Sequence, residues 1–230
     1  MEKTKNLAII PARGGSKGLK DKNIRILNGK HLMGYSIEAA MKSGIFDCVH
    51  ISTDSVEYAR IAKEYGADVS FIRPAELSGD TVDTWDVVRY VVDNFKALGE
   101  CFHRITLLQP TSPLRTAQDI QKAYMLFDEK HAESVISVCE VGHSPRFMGT
   151  LDESLSMEGF VDLSKNIQRQ EQKKYYRLNG AIYMFNVSIL NNLQQLYGER
   201  SFAYIMPNER SVDIDTIEDF IYADLLLSKL

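Results

Sequence analysis

The sequence predicts a single α/β domain with a mostly parallel sheet and helices on both of its faces. Short apolar, β-rich runs alternate with longer amphipathic runs, which is the pattern of successive βαβ units. The chain has 230 residues, of which 44% are hydrophobic, and this is enough for one full core. No internal repeat or low-complexity segment is visible. The domain is therefore expected to span residues 1–230.

Strands are predicted where short runs of apolar and β-branched residues end in polar or turn residues. In chain order, these runs are 7–10, 48–54, 69–74, 104–110, 134–141, 180–185, 202–206 and 211–215.

Helices are predicted where apolar residues recur three and four positions apart. These segments are 31–44, 57–66, 84–99 and 116–130, followed by a last helix that begins at Thr216. The sequence TIED at this start is typical of a capping box.

The alternation stops at 142–177, which is polar and irregular, with weak strand signals only at FMGTL and GFVDL. A segment of this length without strong secondary-structure signals is usually a lid or an interface. We therefore interpret 142–177 as an insertion into the domain.

Charge and cysteine content limit the classes of function. A net charge of −4 gives no reason to expect nucleic-acid binding. Cys48, Cys101 and Cys139 are far apart in sequence and form no C-x-x-C pair, which argues against a disulfide framework and a structural zinc site. No apolar run is long enough to span a membrane, and the N-terminal residues do not resemble a signal peptide. We therefore expect a cytoplasmic protein.

The stretch PARGGSKG at 11–18 directly follows the first predicted strand, where parallel sheets bind ligands. It fails the Walker pattern G-x-x-x-x-G-K-[ST], because Lys17 precedes Gly18 and no serine or threonine follows a Gly-Lys pair. It also fails the dinucleotide pattern G-x-G-x-x-G, because Gly14 and Gly15 are adjacent. Glycines let backbone N–H groups face an anion, and Arg13 and Lys17 add positive charge. Three further cations follow, at Lys20, Lys22 and Arg25. The loop suits a triphosphate or pyrophosphate; a surface turn with solvated charges is the alternative.

Asp213 and Asp215 are two residues apart in SVDID, so an extended strand would direct both carboxylates to one face. Mg²⁺ prefers one or two carboxylates together with phosphate oxygens, which makes this pair a candidate metal site. The alternative is that one aspartate caps the following helix and the other is solvated.

Other strand ends carry weaker signals. Gln109 precedes the proline-stiffened turn of QPTSPLRT, which suits either sugar recognition or a structural turn. Arg73 and Asp80 could contact a ligand, but surface ion pairs are the more common role. The five histidines show no metal spacing, and no serine lies in a G-x-S-x-G motif, so hydrolase chemistry lacks support.

Six stretches occur in a fixed order along nearly the whole chain: IIPARGGSKGLKDKNI (9–24), STD (52–54), RPAELSGDT (73–81), LLQPTSPLRT (107–116), RLNGAIY (177–183) and SVDIDT (211–216). Together they resemble the bacterial CMP-acylneuraminate synthetases, a branch of the cytidylyltransferases. The resemblance implies a Rossmann-like nucleotidyltransferase fold of the nucleotide-diphospho-sugar transferase type. It also implies a reaction in which the anomeric hydroxyl of a nine-carbon acidic sugar attacks the α-phosphorus of CTP and pyrophosphate leaves.

The same resemblance implies Mg²⁺, a homodimer and a role for each motif position. The implied nucleotide-contacting residues are Arg13, Gly14, Lys17, Asn23, Arg73 and Thr84, with Thr84 standing where a serine is common. The implied sugar-site residues are Gln109, Arg169 and Tyr183, and the implied metal ligands are Asp213 and Asp215.

The chemistry fits those roles, because attack on a phosphorus surrounded by negative oxygens needs charge neutralisation and alignment. Arg13, Lys17 and Mg²⁺ would provide these. Arg169 is a candidate for the sugar carboxylate, since a guanidinium binds carboxylate bidentately. The base for the attacking hydroxyl is either Asp215 or a metal-bound hydroxide.

The insertion carries one departure from the family pattern. In the family this segment reaches across the dimer to the partner's sugar site, and a lysine is often found near the position of Phe147. Here Arg146 either replaces that charge or indicates a related acceptor, such as legionaminic or pseudaminic acid.

Two other classes of function remain as alternatives. A GT-A glycosyltransferase also combines a nucleotide-binding sheet with a D-x-D pair, but it consumes a nucleotide sugar and releases no pyrophosphate. A nucleotide sensor on the same scaffold would need neither both cations nor both aspartates.

Overall fold

The computed structural model describes residues 4–15, 18–161 and 173–229. Its strands are β1 (Asn6–Pro11), β2 (Ile26–Leu27), β3 (Lys30–His31), β4 (Cys48–Ser52), β5 (Arg104–Leu107), β6 (Ser134–Glu140), β7 (Tyr176–Asn186) and β8 (Ser201–Ile205). Its α-helices are α1 (Leu32–Ser43), α2 (Val56–Glu64), α3 (Thr84–Ala97), α4 (Ala117–Glu129) and α5 (Ile217–Leu227).

Six of these strands form the central sheet in the order β4-β1-β5-β7-β6-β8, and β2 and β3 form a separate small hairpin. Strand β1 runs parallel to both β4 and β5, and β6 runs parallel to β8. Strand β7 is antiparallel to its neighbours β5 and β6. The prediction of a mostly parallel sheet is confirmed, with one antiparallel strand near its middle.

The residues of β1 alternate between two hydrophobic cores, one on each face of the sheet. Leu7 and Ile9 pack with buried residues of α3, while Ala8 and Ile10 pack with buried residues of α1, α2 and α4. Because successive side chains of a strand point to opposite faces, a fully apolar strand needs helices on both sides. The predicted two-sided arrangement is confirmed.

Side-chain caps fix where the later helices begin. Thr116 at the start of α4 and Thr216 at the start of α5 each accept the backbone N–H of the aspartate three residues on. Asp119 and Asp219 in turn accept the backbone N–H of these threonines. The capping box predicted at Thr216 is confirmed.

Two of the predicted strands are wrong. In 69–74, the Asp68 carboxylate accepts both the N–H and the hydroxyl of Ser70, so the chain turns away after a single bridge at Asp68. Residues 211–215 form no strand because they lie beyond the end of the sheet, where the Ile214 N–H donates to the Thr111 carbonyl in the loop after β5.

The insertion also differs in detail from the prediction. The Val141 N–H donates to the Tyr175 carbonyl at 2.9 Å, and β7 already begins at Tyr176, so 176–177 belong to the sheet. A short 3₁₀ turn, Pro145–Phe147, is its only helical element among residues 142–161. The weak strand signal at FMGTL is wrong, and GFVDL extends past the described residues.

Candidate active site

A cavity of about 420 Å³ lies at the carboxyl ends of the central strands, where loops after β1 and β5 meet residues 211–215 and the start of α3. Open parallel sheets bind ligands at this edge. Seven of the residues to which the family resemblance assigns a role line this one cavity: Arg13, Asn23, Arg73, Thr84, Gln109, Asp213 and Asp215.

Backbone contacts hold the loop after β1 in place. The Gly14 N–H donates to Asp54 Oδ1 at 2.8 Å, and Gly15 has a φ of 64°, which favours glycine. Asn23 is buried and donates from Nδ2 to the Arg13 carbonyl at 3.2 Å. Asn23 therefore stabilises the loop after β1 through this hydrogen bond and also lines the cavity. Lys17 lies outside the described residues.

Arg13 reaches across the cavity to the loop after the 3₁₀ turn Ala75–Leu77. Its Nη2 lies 2.7 Å from Asp80 Oδ1, and its Nη1 donates to the Ser78 carbonyl at 3.1 Å. An anion that uses Arg13 would therefore compete with the Asp80 carboxylate for the same guanidinium.

Arg73 is a buried cation whose charge has few partners. It is 4% exposed, and its Nε and Nη2 have no hydrogen-bond partner among the described residues. Burial lowers the pKa of its guanidinium; the Asp54 carboxylate opposes this effect, and the Arg13 charge adds to it. Buried charges are normally paired, so an unpaired guanidinium at a cavity points to an anionic ligand.

The two aspartates line the same cavity, although their segment is not a strand. Burial raises the pKa of the Asp213 carboxyl, and the nearby Asp215 charge adds to this increase. Asp213 Oδ1 is buried and has no partner among the described residues, while Thr111 donates a hydrogen bond to the carboxyl. Asp215 is exposed and pairs with Lys22 Nζ at 3.0 Å. A partly buried carboxyl with an unpartnered oxygen beside a second carboxylate fits a divalent cation.

The loop after β1 and the aspartates are in direct contact. A Cβ at Gly18 would lie only 3.1 Å from the Asp215 carbonyl oxygen, and Lys22 Nζ also donates to the Ile214 carbonyl at 2.6 Å. The cationic side chains that follow β1 and the two aspartates therefore face one space. No cluster of three or more Asp, Glu, His or Cys side chains suited to a metal occurs in the described ranges.

Gln109 lies at the end of β5 beside the backbone of β7. A Cβ at Gly180 would come within 2.5 Å of Gln109 Oε1, so only a glycine fits there without displacing the glutamine. The buried Arg115 donates to the backbone carbonyls of both Gln109 and Ala181, which ties this loop to β7.

The other predicted sugar-site residues are less close to the cavity. Tyr183 is half-buried, packs edge-on against Trp85 and does not line the cavity; burial raises the pKa of its hydroxyl. Arg146 lies in the 3₁₀ turn of the insertion, outside the cavity lining. Arg169 falls outside the described residues. These three roles stay predictions.

Sequence reasoning missed several residues at the cavity. Lys22 was grouped with general positive charge, Asp80 was interpreted as either a ligand contact or, more commonly, part of a surface ion pair, and neither Thr111 nor Gly180 was singled out. For Asp80 and Thr111 the available signal was their position within the motifs 73–81 and 107–116, whereas Lys22 and Gly180 stand out only through their contacts in the fold.

Comparisons with known proteins identify a matching family model and several similar proteins. A family model described as cytidylyltransferase matches residues 7–222. The N-acylneuraminate cytidylyltransferase of Escherichia coli is 36% identical over 229 residues, or 99% of this chain. The CMP-N,N'-diacetyllegionaminic acid synthase of Legionella pneumophila is 33% identical over 225 residues, covering 96% of this chain and 95% of that protein.

The chain spans only about half of the E. coli relative, 53% of its length. A solved structure of CMP-2-keto-3-deoxy-manno-octonic acid synthetase in complex with CTP has a TM-score of 0.72 and covers 98% of this chain and 99% of its own. At 16% identity this likeness concerns the fold alone, and it agrees with the predicted fold class. Among the described helices, none has the length and apolar character that crossing a membrane requires.

Proposed function

Because the chain belongs to the cytidylyltransferase family, we propose that it transfers CMP from CTP to the anomeric hydroxyl of a nine-carbon acidic sugar. Pyrophosphate is the second product. The E. coli and Legionella relatives are named for this type of reaction, and they match nearly all of the chain. N-Acetylneuraminate is the first candidate acceptor, and legionaminate and pseudaminate are the alternatives.

The unpaired Arg73 guanidinium is the single observation that supports this function most strongly. It lies buried at a cavity that Arg13 and Lys22 also line, so three cations converge on one space. A triphosphate is an anion with enough charge to need them all. Arg73 and Arg13 would bind CTP phosphates and spread the negative charge that develops on the departing pyrophosphate.

Asp213 and Asp215 are the residues that would hold a divalent cation, and Mg²⁺ is the cation we propose. When bound, Mg²⁺ neutralises phosphate charge and polarises the phosphorus for attack. Asp213 supplies a buried, unpartnered oxygen for it. Asp215 is exposed at the cavity and pairs with Lys22, and its carboxylate would accept the proton of the sugar hydroxyl as that oxygen forms its bond to phosphorus.

Gln109 and Tyr183 are proposed to contact the sugar. Gln109 carries an amide donor and acceptor at the edge of the cavity. Arg146 and Arg169 are proposed to reach the sugar carboxylate from the insertion of the same or a partner subunit, since guanidinium and carboxylate pair well.

We also propose that the enzyme is a cytoplasmic homodimer that uses the insertion as its interface. Among residues 142–161, five large apolar side chains are more than half exposed: Phe147, Met148, Leu151, Leu155 and Met157. Exposed apolar side chains grouped in one segment are typical of interaction surfaces.

Pyrophosphate release tests the proposed function. The protein is incubated with CTP, Mg²⁺ and, in turn, N-acetylneuraminate, legionaminate and pseudaminate, and pyrophosphate is measured. We expect sugar-dependent release with one acceptor strongly preferred. Release with none of the three sugars would reject the function.

The variant Asp213→Asn tests, in the same pyrophosphate assay, whether Asp213 holds the divalent cation. We expect kcat to fall ~100-fold or more while the fold is kept, because the carboxylate charge is lost. Asp93→Asn on the exposed face of α3 is the matched control and should behave as wild type. Normal turnover by Asp213→Asn would show that the metal assignment is wrong.

A further inference from the structure

Strand β7 contains a bulge where it passes the active site. Its pairing with β6 shifts between Ile136, which is opposite Tyr183, and Val138, which is opposite Leu178. One residue of β6, Ser137, therefore faces the four residues 179–182. Bulges of this kind often occur beside active sites, where they redirect a side chain or the backbone.

The bulge brings backbone close to two proposed site residues at once. Gly180 has a φ of 75°. A Cβ added there would lie 2.5 Å from Gln109 Oε1 and 3.5 Å from Asp213 Oδ2. The Gly180 backbone therefore lies between the proposed sugar-contacting amide and the proposed cation-binding carboxylate.

Asn179 holds this bulge through a buried network of hydrogen bonds. Its side chain is 1% exposed, and its Oδ1 accepts from the Ser137 hydroxyl at 2.6 Å and from the Ala181 N–H at 3.2 Å. Ser137 Oγ in turn accepts the Ile182 N–H at 2.7 Å. The side chains of Asn179 and Ser137 thus accept hydrogen bonds from backbone N–H groups of the bulge, where the pairing between β6 and β7 is interrupted.

The same side chain also reaches the aspartate segment. Asn179 Nδ2 donates to Ser211 Oγ at 2.9 Å, and Ser211 Oγ donates to the Pro207 carbonyl at 2.8 Å. Ser211 is two residues before Asp213. One buried amide therefore connects β6, the bulge of β7 and the segment that carries both aspartates.

We propose that Asn179 is a positioning residue: its buried amide fixes the bulge and the Ser211 end of 211–215, and so sets the separation between Gln109 and Asp213. This inference rests on the proposed function of the same cavity. A displacement of about 1 Å between reacting groups can cost up to ~100-fold in rate. The network should therefore act on kcat, while CTP affinity depends mainly on Arg13 and Arg73.

Ser137→Ala tests the proposal with a close control on the same strand. It removes the hydroxyl that bonds Asn179 and Ile182. Ser134→Ala also removes a buried β6 hydroxyl, one that bonds the Leu196 carbonyl and Ser201 where β6 still pairs regularly with β7, three residues before Ser137. We expect both variants to lose similar thermal stability. Only Ser137→Ala should lower kcat, by at least ~10-fold, with a change in the KM for CTP below about twofold.

A second readout does not depend on turnover. In ¹⁵N-labelled protein, the Gly180 backbone amide and the Gln109 side-chain amide should shift in Ser137→Ala and stay in place in Ser134→Ala. The proposal is overturned if kcat of the two variants agrees within about twofold, or if both signals stay at their wild-type positions. If wild type itself releases no pyrophosphate, the proposed function fails, and the two signals alone decide whether Asn179 positions the bulge.

Discussion

At the scale of single residues, Arg73 is a buried guanidinium at the cavity with unpaired nitrogens. Its backbone N–H donates to the Thr53 carbonyl at 2.8 Å, which fixes the chain, but its Nε and Nη2 have no partner among the described residues. Leaving buried polar nitrogens unpaired destabilises the folded protein. A bound anion that accepts hydrogen bonds from these two nitrogens accounts for their lack of a protein partner.

Replacing Arg73 should therefore have different effects on thermal stability and on CTP binding. We expect Arg73→Met to keep or raise the thermal unfolding midpoint, because a desolvated charge is removed. The KM for CTP should rise by at least ~10-fold, since a charge-assisted phosphate contact is lost. Thermal denaturation and initial rates at varied CTP measure the two effects.

Arg104→Met is the matched control for this experiment. Arg104 also has two buried unpaired nitrogens, but it pairs with Asp128 and packs over Phe127, away from the cavity. It should change stability without changing the KM for CTP. An unchanged KM in Arg73→Met would show that this guanidinium does not contact the nucleotide.

The sequence identifies many residues of the cavity because motif and strand end coincide. Arg13, Asp213 and Asp215 follow buried segments, and these segments meet at one edge. Gly180 could not be recognised in this way, since its importance depends on the contact with Gln109, a residue 71 positions away in sequence. Lys22 likewise differs from its neighbouring cations only through its contacts with 214–215.

At the scale of elements, Asp119 connects the start of α4 to the chain that leads into the active site. Its carboxylate accepts from Arg210 Nε and Nη2 at 3.0 and 2.9 Å and from the Tyr204 hydroxyl at 2.9 Å. It also caps α4 through Thr116. Arg210 is partly exposed and immediately precedes 211–215, so its pairing with the buried Asp119 anchors one end of that segment.

The pair predicts a pH dependence of stability. Burial alone would raise the pKa of Asp119, but hydrogen bonds from Arg210, Thr116 and Tyr204 outweigh burial and lower it. A carboxyl with a lowered folded pKa stabilises the protein above its unfolded pKa, about 3.9, and loses this contribution as pH falls through the folded value. The free energy of unfolding should therefore decrease below about pH 4.

Urea denaturation of wild type and Asp119→Asn measures this contribution. The difference in unfolding free energy should be largest at pH 7 and shrink as pH falls below about 4. Asp219→Asn removes the equivalent capping residue of α5, for which the described part of the chain provides no arginine partner. It should show a smaller difference at pH 7. A difference for Asp119→Asn that is constant with pH would contradict the assigned pKa change.

Whether a segment forms a helix or a strand follows well from its hydrophobic periodicity, whereas the direction in which strands pair does not. The apolar run at 180–185 predicts a strand but cannot reveal that β7 is antiparallel, because a buried strand is apolar in either direction. The strand predicted at 211–215 fails for a related reason. Its alternation of polar and apolar residues reflects the packing of Val212 and Ile214 against α5 and the β2–β3 region, and none of the described strands pairs with it.

At the scale of the whole molecule, the fold brings four distant regions to one cavity: 11–25, 73–84, 107–116 and 211–216. Parallel strands direct their following loops to the same edge, so the order of motifs in sequence becomes proximity in space. The family relationship agrees with this arrangement over residues 7–222.

If the insertion forms the proposed dimer interface, charged residues introduced into it should weaken the dimer. Leu151→Glu and Met157→Glu, combined, place two charges among exposed apolar side chains and should convert a dimer to a monomer in sedimentation velocity. Leu98→Glu is the control, since Leu98 is equally exposed but lies just after α3. A wild-type protein that sediments as a monomer, or a double variant that remains a dimer, would show that this segment is not the interface.

The central claim is that one cavity joins CMP to an acidic sugar at the expense of CTP. ³¹P NMR of a reaction with CTP, Mg²⁺ and the preferred sugar tests it most directly. The account predicts that CTP signals are replaced by pyrophosphate and a new phosphodiester signal in equal amounts, at a rate that Asp213→Asn abolishes. Release of inorganic phosphate instead, or CTP loss without a phosphodiester product, would contradict it.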